Sequence, residues 1–240
     1  GDGGRRREGD RRAVKPVCVV GAGPAGLSAA VALKRRGIPF RVLDAGRRPG
    51  GIWDFEREDT PMYASAHFIS SKTLSGFPDF PMPKAYPDYP RHDRIQEYIL
   101  AYARHHDLER HITFGATVTE ARPLDALGEA WQVTWRCEGG TAAGTGGGGI
   151  EDSEVFSGLV VATGVTWHPR LPRIPGAEPG PGGADRPEIR HSRSYRSPEE
   201  FAIAWATREG YADPEAVADW ALRMGEVGWD LYGSDIPYPQ

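Results

Sequence analysis

Three glycines near the start of the chain have the spacing of a phosphate-binding turn. Gly21, Gly23 and Gly26 follow directly on the apolar run Val17 to Val20, which is typical of a buried parallel strand. The first glycine of this pattern allows a tight turn, and the second lets the backbone approach a pyrophosphate. The third lets the following helix pack on the strand, and the N-terminus of that helix offers free N–H groups to phosphates. We therefore expect a dinucleotide site here.

An acidic side chain follows at the spacing that this motif uses for ribose. Asp44 ends the second apolar segment, Phe40 to Leu43, about 20 residues after the last glycine. Its carboxylate can accept hydrogen bonds from both ribose hydroxyls, and its charge repels a 2′-phosphate. We therefore expect FAD or NAD, rather than NADPH, at this first site. A glycine-rich turn without a ligand is the alternative, which the order of strand, glycines, helix, strand and acid disfavours.

A parallel α/β unit must position these residues. The helix that starts near Leu27 ends in Lys34-Arg35-Arg36 and Gly37, so the first elements form a right-handed βαβ unit. The remaining pattern predicts a helix from about Asp93 to His106 and strands over His111 to Phe114, Thr117 to Thr119, Trp131 to Trp135 and Val155 to Ala162. Long loops are predicted at 46–90, 139–149 and 169–187, and helix starts at Ser197 and Asp213. The fold class is therefore α/β: a Rossmann-like FAD-binding domain with a parallel sheet, helices and a small β-meander, followed by a short helical C-terminal tail.

Composition and charge exclude several other classes of protein. The 240 residues include 29 Lys and Arg against 33 Asp and Glu, a net charge of −4, so a nucleic-acid-coating surface is not expected. Hydrophobic residues make up 39%, enough for a core. Cys18 and Cys137 cannot form a disulfide scaffold and lack the spacing of metal ligands, which fits a reducing compartment and no metal. The apolar run from Val17 is too short and too interrupted to span a membrane, so we expect a soluble, cytoplasmic protein.

Further motifs extend a resemblance over most of the chain. From about Pro16 to Pro198 the sequence resembles the N-terminal half of the flavin-containing monooxygenases. The stretches that carry this resemblance, beyond the first glycine turn, are Gly50-Gly51-Ile52-Trp53, Ser70-Ser71-Lys72, Phe77 to Pro83, Tyr86 to Pro90, Val161 to Gly164, and His191-Ser192 with Tyr195 and Pro198. The second glycine motif is similar to the one that lies against the flavin in that family. Ser70-Ser71-Lys72 is similar to its active-site loop.

The resemblance implies a cofactor, a co-substrate and a reaction. It implies an FAD enzyme that takes hydride from NADPH and oxygenates a soft nitrogen or sulfur nucleophile with O2, through a C4a-hydroperoxyflavin. It implies a catalytic role for Ser70, Ser71 and Lys72. The cofactor-binding residues that it implies are Gly21, Gly23, Pro24, Ala25, Gly26, Asp44, Gly51, Ile52, Trp53, Val118, Ala162, Thr163 and Gly164.

The sequence departs from the family pattern in three places. Asp185 and Pro187 stand where the family fingerprint has Phe and Gly, and Ile69 stands where many members have an Asn before the Ser-Ser-Lys stretch. The second GxGxxG unit, which binds NADPH in the family, does not occur before Gln240. We therefore expect a shortened member of the family, or its FAD-binding half.

The predicted organisation leaves two further functions open. Residues 1–15 are expected to form a flexible basic tail, 16–198 the FAD-binding domain and 199–240 a helical tail. The first alternative is a catalytically silent dinucleotide-binding module, or a fragment, whose helical tail docks a partner. The second is an NAD-dependent oxidoreductase that uses only the first fingerprint. A homo-oligomer, or a partner chain that completes the site, is compatible with each.

Overall fold

The computed structural model describes residues 14–137, 150–172 and 191–197, together with residues 213, 215, 216 and 219. The α-helices whose bounds lie within the described residues are α1 Pro24–Arg35, α2 Lys72–Ser75 and α3 His92–His105. Its seven strands are β1 Val17–Val20, β2 Phe40–Asp44, β3 Ile112–Phe114, β4 Ala116–Pro123, β5 Trp131–Cys137, β6 Ile150–Phe156 and β7 Gly158–Val161. The mixed α/β fold predicted from the sequence is confirmed.

A four-stranded parallel sheet in the order β3-β2-β1-β7 forms the middle of the molecule. Val20, the last residue of β1, pairs with Leu43 on one side and Val161 on the other. The carboxyl ends of three strands therefore meet at one edge of the sheet. That edge is where open α/β sheets bind their ligands.

The two faces of this sheet are covered by different layers, because neighbouring residues of a strand point to opposite faces. Val19 and Val42 pack in a core with α1 and the apolar face of α3. Cys18 and Leu43 face the other way and pack with Trp135 in a second core. This second core belongs to a three-stranded antiparallel sheet of order β4-β5-β6, the predicted meander.

Helix α1 ends where the sequence pattern predicts, but it begins at Pro24, three residues before the predicted start near Leu27. Pro24 occupies its first position, where a missing N–H costs nothing. Lys34 and Arg35 lie in the last turn, and Gly37 follows with a φ of +66° and donates to the carbonyl of Lys34 at 3.0 Å. The buried Leu27 anchors the helix in the first core.

The single buried strand predicted over Val155 to Ala162 is wrong, because the structure divides this stretch between two sheets. Its first part closes β6 in the antiparallel sheet, and its second part forms β7 in the parallel sheet. Ser157 lies between them and donates its N–H to the carbonyl of Pro16 at 2.9 Å. The run is apolar on both sides of Ser157, so hydropathy alone does not reveal the crossing. Strand β7 is also at an edge, and Val161 is exposed rather than buried.

Helix α3 holds the proline-rich loop, residues 77–90, against the core. It starts at His92, one residue before the predicted start, and β3 starts at Ile112 because His111 belongs to a 3₁₀ turn. Tyr102 stacks on Phe77 with 3.6 Å between ring centroids. The hydroxyl of Tyr98 accepts the N–H of Phe77 at 2.6 Å and donates to the carbonyl of Phe80. These contacts give the loop an ordered path beside α3.

Several predicted segments lie outside the described residues, namely 1–13, 139–149, 173–187 and most of the tail. Within the tail, Glu215, Ala216 and Asp219 are helical, and Asp213 accepts the N–H of Ala216 at 3.0 Å. This contact matches a helix start at Asp213. No helix in the described part of the chain is both long enough and apolar enough to cross a membrane.

Candidate functional site

The first glycine turn has no room for side chains at two of its positions. Gly21 has a φ of +106°, which glycine adopts without strain, and a Cβ there would overlap the carbonyl oxygen of Ala162. A Cβ on Gly26 would overlap the carbonyl oxygen of Gly21. The turn, the start of α1 and the end of β7 are therefore in direct backbone contact. Both glycines are required by the fold itself.

The second glycine motif lies against the first. A Cβ added to Gly51, whose φ is +61°, would be 3.1 Å from Cα of Gly23, and a Cβ added to Gly23 would be 3.5 Å from Cα of Gly51. The N–H of Gly50 donates to the carbonyl of Ala22 at 3.1 Å. We call this arrangement the glycine cradle, formed by Gly21, Gly23, Gly26, Gly51 and Ala162. It stands at the N-terminus of α1, where Pro24 is half-buried and Ala25 is exposed.

Asp44 lies beside the cradle, as the motif predicts, and it is bonded to backbone on both sides. Its Oδ2 accepts the N–H of Ala22 at 2.5 Å, and its Oδ1 accepts the N–H of Gly46 at 2.6 Å. The residue is only 7% exposed, and the guanidinium of Arg57 is 3.9 Å from Oδ1. Asp44 therefore fixes the glycine turn, a role that the sequence analysis did not include. Its predicted contact with ribose remains a prediction.

Arg57 and Trp167 border the same edge of the sheet and were not predicted. Arg57 makes a two-pronged ion pair with Asp59, with both distances 2.8 Å, and this bond raises the pKa of the guanidinium. Its guanidinium lies 4.6 Å from the ring centroid of Trp167, a cation–π contact. The indole N–H of Trp167 donates to the carbonyl of Thr163 at 2.7 Å. The predicted residues Thr163 and Gly164 are exposed at this edge.

Ile52 and Trp53 follow the second glycine motif in a 3₁₀ turn, Gly51–Trp53. The carbonyl of Ile52 accepts the hydroxyl of the buried Thr60 at 2.6 Å. Trp53 contacts the ring of Phe68 edge to face, with 4.9 Å between centroids. Trp53 thus forms part of an apolar wall that leads from the cradle towards the predicted active-site loop.

The predicted catalytic residues make hydrogen bonds to other residues of the segment 70–88. Ser70 shares a hydrogen bond with Ser75, and the hydroxyl of Ser71 is 2.9 Å from that of Thr73. Lys72 donates to the carbonyls of Lys84, at 3.1 Å, and of Tyr86. The ammonium of Lys72 is also 3.7 Å from Asp88. Through these contacts Lys72 helps to hold the proline-rich loop in position. The catalytic role of the three residues remains a prediction.

Val118, also predicted to bind the cofactor, lies in the antiparallel sheet. It pairs with Trp135 and packs on the second core, next to a register shift that separates it from Glu120. The structure does not bring its side chain into the glycine cradle. Its contact with a cofactor remains a prediction.

The motif around His191 docks on the loop that follows the second glycine motif. Arg196 donates to the carbonyls of Thr60 and Met62, the latter at 2.8 Å. The rings of Tyr63 and Tyr195 are 5.2 Å apart. An open cleft of about 590 Å³ lies between these two segments and residues 165–170, and its walls include Tyr63, His168 and His191. Two motifs that are distant in sequence are therefore joined beside Thr60.

Two buried polar residues near the cradle were missed by the sequence analysis. Asp54, 2% exposed, accepts two hydrogen bonds from Arg48 at 2.9 and 2.6 Å, and this interaction raises the pKa of Arg48. Gln96 of α3, 7% exposed, donates to the carbonyl of Pro49 at 2.8 Å. A polar residue within an apolar helix face was the available signal for Gln96. Groups of three or more His, Cys, Asp or Glu able to hold a metal do not occur among the described residues.

Comparison with known proteins identifies relatives over the same span. A family model described as flavin-binding monooxygenase-like matches residues 14–205. A human putative dimethylaniline monooxygenase (N-oxide-forming) is 32% identical over 195 residues, which are 78% of this chain and 33% of the relative. Rice indole-3-pyruvate monooxygenase YUCCA1 (Oryza sativa subsp. japonica) is 35% identical over 189 residues, 79% of this chain and 40% of the relative.

Solved structures that resemble this chain also include oxygenases and flavin monooxygenases. The S-allyl-L-cysteine S-oxygenase of Allium sativum superposes with a TM-score of 0.63 at 25% identity, over 79% of this chain and 44% of that one. A flavin monooxygenase variant from Stenotrophomonas maltophilia superposes with a TM-score of 0.60 at 26% identity, over 79% and 48%. The chain thus spans about a third of the length of the first curated relative and less than half of these two structures.

Proposed function

The chain belongs to the flavin-binding monooxygenase-like family, and we propose that its glycine cradle holds FAD within a monooxygenase that uses NADPH and O2. The observation that carries this proposal is the contact of two separate glycine motifs, at Gly23 and Gly51, at the N-terminus of a 12-residue helix. Such a helix end attracts anionic phosphates. The predicted domain, residues 16–198, is proposed as the FAD-binding unit.

The residues present fit a dinucleotide of this kind. A side chain at Gly23 or Gly51 would stand in the narrow space between the two motifs, so both positions keep the backbone accessible. Residues 21–26 would hold the pyrophosphate through backbone N–H groups, Asp44 would lie at the ribose, and residues 51–53 would lie against the flavin ring. FAD supplies the redox chemistry, which is the acceptance of hydride and the activation of O2.

The protein's own residues would bind and orient this group. Asp44 takes the N–H of Ala22 into an internal hydrogen bond, which fixes the shape of the turn before a ligand arrives. The apolar pair Trp53 and Phe68 would keep water from one side of the bound ring. Thr163 and Gly164, at the end of β7, would approach the dinucleotide from the opposite side of β1.

The substrate proposed is a small molecule with a soft nitrogen or sulfur nucleophile. The names of two relatives support this class, because one is described as N-oxide-forming and the other as an S-oxygenase. Ile69 is 99% exposed and offers no hydrogen bond beside the predicted active-site loop. Polar contacts to reacting groups would therefore have to come from other residues.

The test is a titration of the purified chain with FAD, followed by oxidation of NADPH in the presence of a tertiary amine or a thioether. FAD bound with NADPH consumption and an N-oxide or S-oxide product would support the complete proposal. FAD bound without consumption of NADPH would support the silent dinucleotide-binding module. Binding of NAD with exclusion of FAD would favour the NAD-dependent oxidoreductase, and would contradict the assignment of the cradle to FAD.

A further inference from the structure

A buried glutamine on α3 contacts the start of the second glycine motif. Gln96 is 7% exposed, and its Nε2 donates to the carbonyl of Pro49 at 2.8 Å. Its Oε1 is buried and has no hydrogen-bond partner among the described residues. Pro49 immediately precedes Gly50-Gly51, so the amide reaches the start of the motif that faces the cradle.

The same side chain determines what can stand at position 50. A Cβ on Gly50 would overlap Oε1 of Gln96, and Gly50 has a φ of +152°, a conformation that other residues rarely adopt. The N–H of Gly50 donates to the carbonyl of Ala22 at 3.1 Å. Gln96 is therefore connected to the first glycine turn through two consecutive residues of the second motif, Pro49 and Gly50.

We infer that Gln96 is a positioning residue, which sets the separation of Gly51 from Gly23 and thereby the affinity of the cradle for FAD. This inference rests on the proposed function for the identity of the ligand. The separation is small, since a Cβ on Gly51 would be only 3.1 Å from Cα of Gly23. A shift of the Gly50-Gly51 turn by a few tenths of an ångström therefore changes the fit of a bound group.

A positioning role and a merely structural role predict different results for Gln96→Leu. Leucine has a similar size and removes both the donor to Pro49 and the unpartnered acceptor. Because only one partner of the hydrogen bond is replaced, the carbonyl of Pro49 loses its donor and the melting temperature should fall. A positioning role predicts that Gln96→Leu also weakens FAD binding about tenfold, the effect of one lost hydrogen bond, at a temperature where the ligand-free chain is fully folded. A merely structural role predicts a lower melting temperature with unchanged affinity.

Gln96→Glu provides a rescue that depends on pH. A protonated glutamic acid can donate to the carbonyl of Pro49 as the amide does, and a carboxylate cannot. Burial raises the pKa of a carboxyl group, so this change is expected between about pH 5 and 8. FAD affinity of Gln96→Glu should therefore approach that of the unmodified chain at the acidic end and fall as the pH rises.

The experiment compares both variants with Gln132→Leu, a control on the exposed face of β5 whose amide donates to Ser153 at 3.2 Å. FAD dissociation constants are measured by fluorescence, and hydrogen exchange is measured without ligand. Faster exchange in residues 50–53 of Gln96→Leu, unchanged exchange in 131–137 and weaker FAD binding are expected. Unchanged exchange in 50–53, or unchanged FAD affinity in a chain that binds FAD, would overturn the inference. Failure of the unmodified chain to bind FAD would instead overturn the proposed function, and the exchange measurement would still decide the role of Gln96.

Discussion

Substitution of Gly23 by alanine should separate ligand binding from folding. Gly23 has an ordinary φ of −75°, and a Cβ there would be 3.5 Å from its nearest neighbour, an ordinary van der Waals contact. Alanine is a poorer N-cap than glycine by about 0.5–1 kcal/mol. It also lowers the conformational entropy of the unfolded chain, which stabilises the folded state by about 0.4–1 kcal/mol. The free energy of unfolding of Gly23→Ala should therefore stay within about 1 kcal/mol of the unmodified value.

The same methyl group should weaken the binding of FAD, because it would stand between the two glycine motifs, where the proposed pyrophosphate site lies. The loss of one charged hydrogen bond costs about 1.5–3 kcal/mol, which corresponds to a dissociation constant raised about 10- to 150-fold. Gly26→Ala should behave differently. Its Cβ would overlap a backbone oxygen, so α1 would have to move, at a cost of about 3 kcal/mol or more in stability.

A fluorescence titration with FAD and a urea unfolding curve for each variant give both quantities. Gly158→Ala is the matched control. It lies at the start of β7, where it pairs with Val17 at the far end of the sheet from the cradle, and its Cβ would be 3.7 Å from that residue. Gly158→Ala should keep the affinity for FAD. Unchanged affinity in Gly23→Ala, or equal weakening in Gly158→Ala, would refute the placement of the pyrophosphate.

Three further predictions follow from the environment of single side chains. Asp44→Ala removes the acceptor of two backbone N–H groups, so the free energy of unfolding in urea titrations should fall by about 1.5–3 kcal/mol. FAD binding should weaken as well. Full stability would contradict the role given to this carboxylate. Burial raises the pKa of the Cys18 thiol to about 12. A thiol reagent should therefore modify only Cys137 in the folded chain and both cysteines after unfolding. Rapid reaction of two thiols in the folded chain would argue against the second core. Burial lowers the pKa of His92, so the unfolded state binds more protons and stability should be lost as the pH falls below about 6.5. His92→Gln should flatten this part of the stability–pH curve, and an unchanged slope would exclude His92 as a contributor.

The parts of the fold that sequence could predict depend on local chemistry. The glycine turn, α1 and its C-terminal end follow from residues that are close in sequence, and Asp44 follows from a fixed spacing in one βαβ unit. The same holds for α3, whose buried face follows the helical period. In each case the pattern and the structure that it forms lie within about 20 residues.

The parts that could not be predicted depend on contacts between distant segments. Gln96 meets Pro49 only because α3 packs beside the loop that follows β2, and Arg57 meets Trp167 only because the sheet brings the segments after β2 and β7 together. The crossing at Ser157 was missed for a different reason, since the residues immediately on both sides of it, Val155-Phe156 and Leu159 to Val161, are apolar. The backbone bonds of Asp44 were also missed, because the ribose pattern specifies the position of a carboxylate and not its internal partners.

The most direct test of the central claim is the visible absorption spectrum of the purified chain after incubation with FAD and gel filtration. We predict a flavin spectrum that comigrates with the protein at one FAD per chain, and its loss in Gly23→Ala under the same conditions. A folded, colourless protein, with native far-UV circular dichroism and no retained flavin, would contradict the assignment of the glycine cradle as an FAD site.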